Sequence, residues 1–422
     1  MNLYIALPTK AFAFLLLLIG FNAYSQPTDA ELEAAGERYL ELAAASFTAA
    51  LGEALVMQDA INAFLEEPNE TTLALAKSTW TEARKPYAEI EAFRFGNLII
   101  DDWEPQLNAW PLDEGFIDYV DNSNYFYELG NPVGQANLIA NTSLSFGPQT
   151  LDLTTLDAEL LASLNELGGT EANVATGWHA IEFLLWGQDL NGTGPGAGNR
   201  PVTDFAISAT DCTNGNCDRR REYLKSVTDL LIDDLAWVIN QWDQQVSDSY
   251  HNEFASLDGK EQLRRMLFGA GSLSLGELAG ERMKVALFAN SPEDEHDCFS
   301  DNTHFTLLHD QKGIANVLTG QSDFTAELTD GVSVVELLEE YNPELAAELV
   351  LALNNSTQAI SLISDSAAAG VAFDQLIAPG NTEGQAMIQN AIDALVIQTR
   401  AIEASALALG LTSLAANTEG HF

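Results

Sequence analysis

The 422-residue sequence predicts an all-α fold arranged as two helical-bundle domains. Three observations carry that expectation. Several long segments repeat apolar residues with the 3.6-residue period of a helix, alternation of the kind that builds β-hairpins is scarce, and the order helix, helix, polar motif occurs twice along the chain.

The elements follow in order. The apolar run AFAFLLLLIGF is preceded by Lys10 and followed by Ala23-Tyr24-Ser25, a small-x-small pattern suited to signal-peptidase cleavage before Gln26. Residues 1–25 are therefore expected to be a removable export signal. The run is too short for a comfortable bilayer span, and the polar QPTDAELEAAGE follows at once, so no stable membrane span is expected after its removal. No cysteine near the cut offers a site for a lipid anchor.

The remainder divides into an expected N-terminal domain, 26–205, and a C-terminal domain, 206–422. Glu31 to Glu66 and Thr71 to Phe95 read as an antiparallel helical pair joined by EPNE. An irregular stretch from Gly96 to Thr150 follows, then a helix from Asp157 leading to His179. The glycine-dense NGTGPGAGNRPVTDF, 191 to 205, matches no phosphate-cradling pattern and reads as the connection between halves. Helices are expected from Asp218 to Trp242, on the stripe Leu224, Val227, Leu231, Leu235, Val238 and Trp242, and from Lys260 to Phe288. Leu345, Leu349, Ala352, Ser356, Ala359 and Ile363 form another stripe, opened by Asn342 as cap and Pro343 in the first turn. The last runs along Ile388, Ile392, Leu395, Thr399, Ile402, Ala406 and Leu409.

Lys plus Arg number 18 against 62 Asp plus Glu, a net charge of −44. Such a surface repels phosphate backbones and anionic lipid heads, which argues against nucleic-acid partners, and it draws in cations as well as conferring solubility. Cys212 and Cys217 enclose TNGN and suit a small disulfide; a metal knuckle would need a second pair that the sequence lacks.

Two clusters point to chemistry. In GWHAIEFLLWG, His179 and Glu182 stand three apart, neighbours on a helix surface that can reach one ion together. Imidazole plus carboxylate suits iron, zinc or manganese; a hydrogen-bonded core pair is the bland alternative. EDEHDCFSDNTH, Glu293 to His304, is dense in acids and contains Glu295, His296 and His304, able to supply ligands or to orient them, or simply to cap a helix. Within it Cys298 reads as a ligand or an inert buried thiol, and His309 follows close by. Glu89, Glu91 and Arg94, and later Glu277, Glu281 and Arg282, set acids and bases on otherwise apolar faces. They form ion pairs within their helices, or else Glu91 or Glu281 turns inward to complete a carboxylate–histidine site. H-E-x-x-H, H-x-x-E-H and G-x-S-x-G are absent, so common zinc-protease and serine-hydrolase chemistry loses support.

Gly177 to Glu182 resembles the G-x-H-x-x-E signature of the imelysin family. EDEHDCFSDNTH, KGIANVLTG and GAGNRPVTDF are similar to its iron-regulated protein A branch. The resemblance implies two pseudo-symmetric helical domains, export, and expression tied to iron. The expected function is a periplasmic protein that binds iron or a small iron-bearing ligand between its halves through His179 and Glu182, with Glu91, Glu281, Glu295, His296 and His304 as further ligand candidates. An envelope iron-uptake partner would follow. The alternative is a metal-dependent peptidase, with zinc as its metal, using His179 and Glu182.

Overall fold

A computed structural model describes residues 26–414 apart from 124, 126, 128–129, 325–327 and 329–330. The expected export segment, 1–25, lies outside the described residues. Helices dominate, as the periodicity predicts.

The opening pair is α1 (Asp29–Glu66) and α2 (Glu70–Ile90). Thr28 and Glu31 satisfy each other's backbone N–H groups at the start of α1, and Asn69 accepts from Thr71 and Thr72 at the start of α2. A 3-10 turn, Glu91–Phe93, extends α2. The irregular stretch contains α3 (Leu98–Asp101), α4 (Glu104–Asn108) and α5 (Glu114–Ile117), then an antiparallel hairpin of β1 (Ser143–Phe146) and β2 (Gln149–Asp152). Each strand is four residues long with only a half-buried face, too little alternation to stand out in the sequence.

The helix expected to run from Asp157 into His179 is two helices, α6 (Ala158–Leu164) and α7 (Gly177–Trp186). Gly168 and Gly169 lie between them at φ +79° and +75°, a conformation that no continuous helix accommodates.

The second half comprises α8 (Cys217–Asn240), α9 (Tyr250–Ala255) and α10 (Gly259–Ser272), which continues as a π-helical segment, Leu273–Val285, into α11 (Ala286–Ala289). After a polar loop come α12 (Thr303–Thr319), α13 (Val334–Tyr341), α14 (Pro343–Ala368), α15 (Phe373–Ile377) and α16 (Thr382–Ala408). Asn342 caps α14 as expected, accepting from Leu345. The stripe from Leu224 to Trp242 is buried throughout, as are the residues of the α16 stripe.

One contiguous apolar core runs through both halves. Helix α1 packs on α2, α8 and α10, α2 packs on α12, and α14 packs on α16. Among described helices α1 is long and apolar enough to cross a membrane, yet Leu32, Tyr39, Phe47, Met57 and Phe64 lie in this core. Helices α2 and α12 approach so closely that a methyl group at Gly313 would lie 2.4 Å from the Glu89 carbonyl oxygen.

The loops are tied down by charge. Asp118, just after α5, accepts from Arg220 Nε (2.7 Å) and Nη2 (3.0 Å) and from Arg200 Nη1 (2.7 Å), all three side chains being buried. The glycine-dense connection is thereby fastened to α8 through Arg200. Cys212 and Cys217 form a disulfide at the start of α8.

A buried histidine cluster beneath an acidic cleft

All ten residues of α7 are buried, consistent with a short helix that is apolar on every side. Its first residue explains the glycine of the motif. Gly177 has φ +79°, and a Cβ there would meet the carbonyl oxygens of Leu107 at 2.2 Å and Gln106 at 2.9 Å. Gly177→Ala is therefore expected to cost about 2–3 kcal/mol, from the unfavourable backbone conformation together with the clash, as measured by urea denaturation.

One turn on, His179 Nδ1 hydrogen-bonds Glu182 Oε2 at 2.9 Å. The other Glu182 oxygen accepts from the Ser300 N–H (3.0 Å) and hydroxyl (2.6 Å). Both carboxylate oxygens are thus committed, and Glu182 orients the imidazole. Burial pulls His179 down to about 3, so the ring is neutral. Burial, reinforced by the Asp297 charge, pushes Glu182 well above the carboxylate range against the opposing Ser300 bonds. His179 Nε2 is buried with no hydrogen-bond partner.

The 293–304 block folds onto this helix. His296 sets its ring edge-on to His179, centroids 4.7 Å apart, and Asp297 Oδ1 lies 3.8 Å from His179 Nδ1. His179, His296 and Asp297 each offer a ligand atom within 4.8 Å of the others. Asp297 is held by Asn302 Nδ2 (3.1 Å), by the Thr306 hydroxyl, and by Arg84 Nη2 (2.9 Å). Burial alone would raise its pKa, but Arg84 and these hydrogen bonds outweigh burial and keep it below the usual value.

Arg84, on α2, lies 1% exposed among the rings of Trp80, Tyr87 and Trp178, 5.4–5.6 Å from their centroids. Its Nη1 donates to Asn108 Oδ1 (2.7 Å), and Asn108 Nδ2 donates to Glu91 Oε1 (2.5 Å). Glu91 also pairs with Arg282 Nη2 (2.5 Å). Arg282 further engages Asp310 (2.6 Å) and Glu277 (2.9 Å). Glu277 and Arg282 are five residues apart, a spacing that an α-helix does not bring together but the i→i+5 bonding of the π segment does.

His296 also belongs to the wall of a cleft of about 480 Å³. The same cleft is lined by Glu104, Glu166, Glu171, Glu277 and Glu281 against the guanidinium of Arg94, with Trp110 beside His296. Burial raises Glu104 to about 7 despite Arg94.

The sequence candidates distribute as follows. His179, Glu182 and His296 meet. Glu281 stands on the cleft wall, and Glu91 lies in the ion-pair network beneath it. Glu295 is buried and feels chiefly the charges of Asp374 and Asp301, while half-buried His304 packs on Phe305; neither belongs to the three-residue group. Asp297, Arg84 and Ser300 were not singled out from sequence. No sequence pattern set Asp297 apart from the other acids of the block; it joins His296 because the chain turns over 296–301. A second histidine–glutamate pair, His309 Nδ1 to Glu89 Oε1 at 2.9 Å, joins α12 to α2, and Glu89 also accepts from Asn316 and Ser322.

The family model for imelysin, peptidase family M75, matches residues 43–402. The chain belongs to the imelysin family. Among its relatives, iron-regulated protein A of Synechococcus elongatus is 21% identical over 332 residues, 76% of this chain and 72% of that protein. Two crystal structures share the imelysin fold. One, described as an iron-regulated protein A precursor from Parabacteroides distasonis, has a TM-score of 0.66 at 18% identity, covering 92% of this chain and 97% of its own. The other, an imelysin-like protein from Psychrobacter arcticum, has a TM-score of 0.57 at 16% identity, covering 92% and 98%.

Proposed function

We propose that this imelysin-family protein is an exported protein that captures an iron ion through His179, His296 and Asp297, with Glu182 orienting His179, and serves iron uptake or homeostasis. The observation that carries the reading is that His179, His296 and Asp297 each bring one ligand atom within 4.8 Å of the others, while His179 Nε2 is buried without a hydrogen-bond partner. Buried polar atoms are nearly always hydrogen-bonded, so an orphan acceptor or donor in a cluster of ligand types calls for a guest. Two imidazoles and a carboxylate suit iron(II), and equally zinc, better than calcium or copper(I). The acidic cleft over His296 supports a cationic guest, because its carboxylates raise the local concentration of cations.

Glu182 resembles the carboxylates that fix the tautomer of metal-binding histidines from behind. The same commitment argues against its use as the base of a zinc peptidase, since both its oxygens are engaged. The names of the Synechococcus and Parabacteroides relatives support a link to iron. The Cys212–Cys217 disulfide is consistent with an oxidising compartment such as the periplasm.

Anaerobic calorimetric titration with iron(II), and in parallel with zinc, tests the reading. The wild type is expected to bind. His179→Ala combined with His296→Ala is expected to abolish binding, while Glu182→Gln weakens it by about 10- to 100-fold. Unchanged affinity in the double variant would remove the site from consideration.

A further inference from the structure

We infer that Arg84 is a resident cation that competes with the incoming metal for Asp297 and His296, and so sets the affinity of the site. This inference rests on the proposed reading of the cluster as a metal site.

The argument starts from occupancy. Arg84 Nη2 lies 2.9 Å from Asp297 Oδ1 and 3.5 Å from His296 Nδ1. Asp297 is therefore shared between the guanidinium and the three-residue group, and the lone pairs that a metal would use already face a positive charge. Asp297 is fully buried, so its ionised form needs a cation, and in the absence of a metal Arg84 supplies one. A metal ion entering beside a guanidinium adds a second positive charge within a few ångströms, where water screens poorly. The bound state then requires either that Arg84 withdraw or that the repulsion be tolerated. Both lower the affinity.

Withdrawal has somewhere to go. The guanidinium already stands among the faces of Trp80, Tyr87 and Trp178, and its Nη1 is held by Asn108. Aromatic faces attract a desolvated cation. Giving up Asp297 therefore leaves Arg84 partly satisfied, a property that a residue serving only as a permanent strut for Asp297 would not need. The arrangement is an exchange of one cation for another on a carboxylate that is never left bare. It keeps the metal-free protein folded and makes release of the metal accessible.

The test is counter-intuitive in direction: removing a charged residue from the site should tighten binding. Arg84→Gln preserves a hydrogen-bonding group near Asp297 and removes the charge. Calorimetric titration with iron(II) and with zinc is expected to show affinity raised by about tenfold or more relative to wild type. In the same protein the metal-free melting temperature is expected to fall, and saturating metal to raise it by more than it does in the wild type, because the metal now supplies the missing partner of Asp297. Arg84→Lys, which keeps the charge, is expected to stay near wild-type affinity.

Should Arg84→Gln fail to fold, Arg84→Met, which removes the charge and keeps apolar volume among Trp80, Tyr87 and Trp178, is expected to move affinity the same way. A folded Arg84→Gln or Arg84→Met protein that binds metal no more tightly than wild type overturns the inference. Absence of binding in wild type and variants alike would instead overturn the metal-site reading on which it rests.

Discussion

Asp118→Ala is expected to be the most damaging single substitution outside the histidine cluster, lowering stability by about 3–5 kcal/mol. The carboxylate accepts three hydrogen bonds from Arg200 and Arg220, each at most 4% exposed, and its loss strands two guanidiniums in the interior. Arg220 keeps the carbonyls of Asp204 and Gly215, and Arg200 keeps a longer contact to Asp204 (3.3 Å), so the loops loosen without losing every tie. Chemical denaturation at pH 7 measures the loss.

The pH dependence has a definite sign. Burial by itself would raise Asp118, but Arg200 and Arg220 outweigh it and hold the carboxyl below its usual value of 3.8. A group depressed in the folded state contributes stability above its unfolded pKa and gives it up as the pH falls through the folded value. The gap between wild type and Asp118→Ala is accordingly expected to be full at pH 5–7 and to narrow in more acidic solution. A constant gap down to the acid transition would mean that packing, and not charge, is what the substitution removes.

Arg282→Met is expected to have an effect of similar size, about 3–5 kcal/mol at pH 7, for the opposite electrostatic reason. Here three buried or nearly buried carboxylates, Glu91, Glu277 and Asp310, lose the cation that they share. Burial would raise Glu277, yet Arg282 and Arg94 together hold it below the usual 4.5. Its contribution is therefore present above about 4.5 and lost as the pH falls through the folded value. The variant's deficit should shrink as solutions approach pH 4, because protonation relieves the repulsion among the stranded acids. Near-equal unfolding midpoints for the two proteins at pH 7 would contradict the central place given to Arg282.

The helices were readable because their apolar stripes keep the 3.6-residue period, as Leu224 to Trp242 and Ile388 to Leu409 illustrate. Their interruptions were harder to read. The run from Ala158 to Trp186 is apolar enough to pass for one helix, and it is the backbone demand of Gly168 and Gly169 that divides it. The π segment was invisible for a related reason: Glu277 and Glu281 suggest α-helical neighbours of Arg282 and its surroundings, whereas the observed partner stands at a spacing of five.

For the candidate site, the meeting of His179, Glu182 and His296 was legible from rare residue types in short motifs. Arg84 was not, because its role arises from pairing with a residue 213 positions away, which no local pattern records. Asp297 was not distinguishable from the other acids of its block, because its place beside His296 depends on the turn over 296–301.

Helix α1 is 38 residues long, roughly 57 Å at the usual rise. It packs on α2, which precedes the glycine-dense connection, and on α8 and α10, which follow it. Any hinge between the two halves would have to bend this rod, so the frame that carries the histidine cluster is stiff along its whole length.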